Sequence, residues 1–145
     1  MKALIQRVRH ASVSVDSTIV GEINSGILAL VGVESDDTHE RADKLLHKVL
    51  NYRIFSDEND KMNKSLLDVH GGLLLVSQFT LVANTKSGLR PSFSTAANPM
   101  LGEQLFSYLL DQAIQKYDCV ATGRFGANMQ VELVNDGPVT FLLEV

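Results

Sequence analysis

Seven consecutive positions, Ile27-Leu28-Ala29-Leu30-Val31-Gly32-Val33, carry no polar side chain. Such a run is far too short to span a bilayer, which takes roughly 20 apolar residues, and too apolar to lie against water. It is therefore expected to be a strand covered on both faces, and the rest of the chain must supply those covers. One cover follows at once. Asp37 or Thr38 caps a segment in which Ala42, Leu45, Leu46, Val49 and Leu50 recur at helical spacing, leaving Glu40, Arg41, Lys44 and Lys48 for solvent. The acidic run Glu34-Ser35-Asp36-Asp37 reads as the solvated start of that helix, favoured by its dipole.

The remaining pattern gives mostly strands. Ala3 to Val8 and Ala11 to Val15 alternate and read as two strands joined at Arg9-His10. Tyr52 to Phe55 reads as a short strand ended by the polar turn Ser56 to Asp60, and Leu73 to Leu81 as the most strand-like stretch of all. Val82 to Pro99 is rich in Ser, Asn, Thr, Gly and Pro without a period, which predicts a long ordered loop of the functional kind. A second helix over about Met100 to Lys116 would bury Leu101, Leu105, Tyr108, Leu109 and Ile114. Strands at Cys119 to Phe125, Met129 to Val134 and Val139 to Val145 close the chain, the last two joined around Asn135 to Pro138. With 145 residues, 45% of them hydrophobic, such a chain buries roughly 68–70% of its unfolded surface and needs no covalent staple. The expectation is one α+β (mixed α/β) domain over residues 1–145, with a mainly antiparallel or mixed sheet, or barrel-like core, and two main helices.

Several chemistries are excluded by what is missing. His10, His39, His47 and His70 stand singly, with no ligand spacing, so no metal and no cofactor is expected. No Gly-x-Ser-x-Gly elbow and no phosphate loop occurs. The single cysteine, Cys119, reads as a buried inert thiol. It cannot form an internal bridge, and Lys2 and Arg7 arrive too early for a signal-peptide core, so a cytoplasmic setting without membrane contact is expected. A net charge of −4 argues against wholesale wrapping of nucleic acid and leaves local basic patches open.

Two segments resist so plain a reading. In Ser77-Gln78-Phe79-Thr80-Leu81, alternation puts Gln78 and Thr80 on one face at the end of an apolar strand, which fits either the lip of a pocket or a solvent-facing edge. Asn135-Asp136-Gly137-Pro138-Val139-Thr140 fits a plain hairpin turn. It equally fits a rigid wall of backbone, since a Gly-Pro amide reaches the cis isomer for only ~0.5–1 kcal/mol and Gly137 has no Cβ to keep a ligand away.

Taken together, these segments resemble the D-aminoacyl-tRNA deacylases, the chirality-checking hydrolases also called the D-tyrosyl-tRNA deacylase family. The resemblance covers the whole chain: Ala3 to Val8 with Ala11-Ser12-Val13, Tyr52 to Phe55, Ser77 to Leu81, Gly88 to Phe93, Thr122 to Phe125, Met129-Gln130-Val131 and Leu133 to Thr140. It implies hydrolysis of the ester between a D-amino acid, or glycine, and the 3′-terminal adenosine of tRNA. It also implies a homodimer in which a cis Gly137-Pro138 turn reaches into the partner's site. Ser77, Gln78, Phe79 and Thr80 would line the reacting centre, and Gly137 and Pro138, with Asn135 and Met129, would bind substrate and reject L-aminoacyl groups.

The chemistry such residues can supply follows separately. No base with a tuned pKa is visible among them, so backbone N–H groups near Phe79 and Thr80 are the natural oxyanion donors. The ribose 2′-OH would then help the water, while Thr80 as a covalent nucleophile lacks an activating His. Contacts to tRNA are sought at Arg7, Arg90 and Arg124, with Phe93 or Phe125 able to stack on the adenine. Lys86 shares the loop of Arg90, and Arg7, which interrupts an apolar strand, is expected to have a structural partner near the site. The contrasting reading is a non-enzymatic RNA-end or small-ligand binding module.

Overall fold

The computed structural model describes residues 1–145. In chain order the elements are β1 (Lys2–Val15), β2 (Thr18–Ile23), β3 (Gly26–Gly32), α1 (His39–Asn51), β4 (Phe55–Ser56), β5 (Met62–Lys64) and α2 (Leu66–Val69). Then come β6 (Gly72–Ser77), a 3-10 turn (Phe79–Val82), α3 (Pro99–Lys116), β7 (Val120–Thr122) and β8 (Gln130–Glu144). The main sheet runs β2-β1-β3-β6-β7, with β8 on the other edge of β1. Pairing is antiparallel around β1 and parallel from β3 to β6 to β7. The two ends of that order approach each other, because a Cβ on Gly21 of β2 would lie 2.3 Å from the Thr122 carbonyl oxygen of β7. The result is a mixed α+β fold whose sheet nearly closes as a barrel.

The apolar run of β3 is covered on both sides as its composition requires. Ile27, Ala29 and Val31 pack with Leu73 and Leu75 of β6 against Leu45, Leu46 and Val49 of α1 and Leu105 and Leu109 of α3. Leu28 faces the other way, into a second cluster with Leu74, Val76, Val8 and Val13. The two helices thus coat one face and the curled sheet itself encloses the other.

β1 serves both cores by changing its side-chain parity. Ala3 and Ile5 face the helices, whereas Val8, Ala11 and Val13 face the barrel interior. This is why the sequence reads as two strands: the alternation slips at Arg7 to His10, where the pairing to β8 is irregular, but the strand is continuous. The same correction applies to β8, which is one strand through Asn135 to Pro138 and not a hairpin. Other expectations shift for local reasons. β4 begins at Phe55 and not Tyr52, β7 is only Val120–Thr122, and β6 ends at Ser77, where the chain tightens into the 3-10 turn. Ile114 is exposed, its place in the helical stripe being taken by Phe106 and Ala113. Cys119 is exposed as well, at the loop before β7.

The acidic run after β3 is not merely solvated. Asp37 is buried and receives the Met1 ammonium at 2.6 Å, the Glu34 amide at 2.7 Å and Arg41 Nη1 at 3.2 Å, while Thr38 caps α1. Three donors compensate the desolvated carboxylate. This loop in turn holds the long Val82 to Pro99 segment: Ser35 N–H donates to the Thr95 carbonyl at 3.0 Å and Ala97 N–H to the Val33 carbonyl at 3.0 Å. Thr95 Oγ1 donates to the Val82 carbonyl at 2.7 Å, closing the segment on the 3-10 turn.

Candidate active site

A cavity of about 450 Å³ opens at the carboxyl ends of β3 and β6 and beside β7, the place where sheets with parallel strands offer a crevice. Ser77, Gln78 and Phe79 form its lip, and Phe125 and Met129 line it, together with residues the sequence reading did not single out, notably Asn98, Gly102 and Phe106. Those three come from the cap and first half of α3, where Asn98 accepts from the Leu101 amide at 3.0 Å; Asn-Pro ahead of an apolar helix was the available signal. Gly102 faces the Phe125 ring, whose Cζ would make ordinary contact at 3.5 Å with an added Cβ.

The lip is built by the end of β6. Gln78 N–H still donates to the Val31 carbonyl at 2.7 Å, then the backbone turns and Leu81 N–H returns to the Gln78 carbonyl at 3.2 Å. The N–H groups of Phe79 and Thr80 open this turn, where helical geometry offers no partner, and no turn or loop carbonyl receives them. Thr80 is not part of the lining; its Oγ1 accepts from Gln78 Nε2 at 2.5 Å, so the two residues assigned to one strand face do meet, but through a turn. Phe79 is 62% exposed and leans on Phe93, ring centroids 5.0 Å apart. No lining side chain titrates, and no group of three or more His, Cys, Asp or Glu side chains gathers where a metal ion would bind.

The Asn135 to Pro138 turn is a bulge in β8. Asn135 sits opposite Val8 and Thr140 opposite Gln6, so Asp136 to Val139 all face the single residue Arg7. Arg7 fills the gap: its Nε donates to the Asp136 carbonyl at 2.9 Å and its Nη1 to the Ile54 carbonyl at 2.7 Å. Asn135 braces the bulge from within, Oδ1 accepting from the Val139 amide at 2.7 Å and Nδ2 donating to Thr140 Oγ1 at 2.8 Å. The Gly137-Pro138 peptide is cis, and Gly137 has φ of 145°, a conformation that favours glycine.

Within one chain the two segments do not meet. Ser77 is level with Val31 of β3, which pairs with Ala3 of β1, whereas the bulge is level with Arg7. Four residues along the strands and three strand spacings across put them roughly 20 Å apart. Met129 belongs to the cavity and not to the bulge. Arg124 precedes Phe125 at the cavity wall, Arg90 lies in the exposed loop before Phe93, and Arg7 is committed to its two carbonyls.

Comparison with known proteins matches this architecture. A family model described as D-Tyr-tRNA(Tyr) deacylase matches residues 4–144. The D-aminoacyl-tRNA deacylase of Pseudomonas putida (strain W619) is 68% identical over 145 residues, covering 100% of both chains. Among solved structures, a c-Myc DNA unwinding element binding protein superposes with a TM-score of 0.95 at 38% identity, covering 100% of this chain and 99% of that one. A probable eukaryotic D-amino acid tRNA deacylase superposes with a TM-score of 0.87 at 16% identity, over 99% and 98% of the two chains, which speaks for the fold alone.

Proposed function

The chain belongs to the D-Tyr-tRNA(Tyr) deacylase family, and from that premise we propose that it hydrolyses the ester joining a D-amino acid, or glycine, to the 3′-terminal adenosine of tRNA. The observation that carries the reading is the 3-10 turn Phe79–Val82 that leads off the lip of an apolar cavity, a turn whose opening N–H groups, those of Phe79 and Thr80, have no partner in its own helical geometry. Water attacks the ester carbonyl, the tetrahedral oxyanion is received by those two donors, and as it collapses the ester C–O bond breaks and the ribose oxygen leaves with the proton given up by the water, releasing the free amino acid and the 3′-hydroxyl. Preorganised donors of this kind contribute about 10²–10³-fold each. With no titratable side chain in the lining, the neighbouring 2′-OH is the group that positions the water, and the protein supplies orientation. The adenine enters between Phe125, Met129 and Phe106, with Phe79 and Phe93 at the entrance.

Chirality is set by a wall of backbone. The bulge at Gly137-Pro138, held by Arg7 and Asn135, enters the cavity of a second copy of the chain, since it stands far from its own. An L side chain then meets that wall, while hydrogen does not, so D-aminoacyl and glycyl esters are both cleaved. Rejection by fixed backbone exceeds the ~1–3 kcal/mol that a pocket gains from one methylene. Val134, Phe141 and Leu142 of β8 are exposed, and β8 pairs only with β1, which leaves apolar side chains on a strand that a symmetric partner can cover. The protein is then a cytoplasmic homodimer that needs no cofactor.

Purified protein is expected to release tyrosine from D-tyrosyl-tRNA and not from L-tyrosyl-tRNA, and to sediment as a dimer. Equal release from both, or from neither, would refute the reading. Tight binding without turnover would favour the non-enzymatic nucleic-acid module instead.

A further inference from the structure

The charge of the chain is segregated, and the segregation follows the cavity. The net charge is −4, with 17 Asp and Glu against 13 Lys and Arg. Yet no Asp or Glu occurs between Asp68 and Glu103, or between Asp118 and Glu132. These two stretches contribute the lip and, of the lining, Ala97, Asn98, Phe125, Gly126, Ala127 and Met129. They also carry Lys86, Arg90 and Arg124, all exposed and none of them ion-paired.

Elsewhere the cations are mostly neutralised. Lys2 pairs with Glu34 and Glu144, Arg9 with Asp136, Arg41 with Asp36 and Asp37, and Lys44 with Glu40. Outside ion pairs, Lys48 donates to the Glu144 carbonyl, Arg53 lies in the field of Asp68, and Lys61 sits in the acidic turn after Asp57. Glu34, bridged to Ala96 of the loop, is neutralised by the Met1 ammonium at 3.0 Å and Lys2 at 3.6 Å, and Asp36 and Asp37 beside it are taken up by Arg41.

The unpaired cations stand on fixed backbone. Asn84 and Ser92 exchange N–H···O bonds of 2.8 and 3.0 Å, closing a small hairpin that carries Lys86 and Arg90, and Asn84 Oδ1 accepts from the Lys86 amide at 3.0 Å. The residue after Ser92 is Phe93, which rests on Phe79 at the lip. Across the cavity, Arg124 begins a turn closed by the Ala127 amide on its carbonyl at 3.2 Å, and its own N–H meets Met129 Sδ at 3.4 Å.

We propose that Lys86, Arg90 and Arg124 form a phosphate-binding rim that grips the nucleic-acid strand leading up to the 3′-terminal adenosine. The proposal rests on the deacylase reading above and adds to it the surface on which the body of the RNA lies. An otherwise acidic molecule presents three exposed, unpaired cations beside this mouth, so the local field favours approach of a polyanion from that side. Three phosphate contacts imply a slope of about −2 to −3 for log kcat/KM against log salt.

The test compares D-tyrosyl-tRNA with D-tyrosyl-adenosine, which has the ester and no phosphate. For Lys86→Ala, Arg90→Ala and Arg124→Ala, the ratio of kcat/KM on the tRNA to that on the adenosine ester is expected to fall about tenfold each, with the salt slope on tRNA shallower by about 1. Lys44→Ala, which removes a paired cation on α1, is expected to leave both quantities as in the wild type. A wild-type ratio and slope in all three rim variants would overturn the rim while leaving the deacylase reading intact. Wild-type protein that cleaves neither ester would overturn both.

Discussion

The two polar turns that interrupt the apolar strands are held in opposite ways. At Ser77 to Thr80 the contacts are local and open: Gln78 bonds Thr80 two residues on, Phe79 is exposed, and the first N–H groups of the 3-10 turn have no partner inside it. At Asn135 to Val139 the backbone is fixed twice, from a distance by an arginine that also reaches Ile54 and from within by Asn135, which spans the bulge to Val139 and Thr140. On the proposed function the contrast separates two tasks. Donors for a developing charge must stay unengaged until the reaction occurs, whereas a steric filter works only if it does not yield.

The rigid turn is the easier one to break. At Gly137 an added Cβ would lie 2.6 Å from Val139 Cγ2 and 2.9 Å from the Val139 nitrogen, in a backbone conformation at φ of 145° that L side chains rarely adopt. Gly137→Ala is therefore expected to cost about 2–5 kcal/mol in urea unfolding, the sum of strain and overpacking, with L-tyrosyl-tRNA admitted in whatever folds. Unchanged stability and unchanged chirality would mean that the bulge is a passive surface turn. Arg7→Lys comes next. A single ammonium cannot bridge the Asp136 and Ile54 carbonyls as the guanidinium fork does, and the expected loss is about 1.5–3 kcal/mol, read by the same unfolding curve alongside the D/L ratio. Asn135→Ala removes the internal brace and leaves the Val139 amide unpaired, for about 1–2 kcal/mol; full retention of stability would show that Arg7 alone fixes the wall.

The same two turns show how far local sequence reaches. Helix α1 was legible to its cap because periodicity and capping are local properties, and the double coverage of β3 followed from composition alone. The bulge was not. Asn-Asp-Gly-Pro is hairpin chemistry, and only the pairing of residues on both sides of it with β1, far away in the sequence, keeps the strand running straight on. β2 escaped notice for a related reason: only Ile23 is buried in it while Ile19 is exposed, so its alternation is faint and its partner decides the conformation. At the lip, a reading by strand alternation brought Gln78 and Thr80 to one face, and the 3-10 turn brings them together by another route. What remained hidden was the far wall, Asn98 to Phe106, because residues of a helix start announce a helix and not the cavity it borders.

The open turn gives the smallest effect and the sharpest mechanistic division. Thr80 is exposed and outside the lining, and its hydroxyl already accepts from Gln78 Nε2. Thr80→Ala should shift stability by no more than about 0.5 kcal/mol. Its consequence for the reaction depends on which atom of Thr80 acts. If the backbone N–H receives the oxyanion, the substitution keeps that donor and most of the activity survives. If the hydroxyl were a covalent nucleophile, activity would fall by several orders of magnitude and an acyl-enzyme would vanish from single-turnover quenches. A rate close to wild type, with no acyl-enzyme in either protein, places the chemistry on backbone and substrate, which is what a cavity without titratable side chains requires.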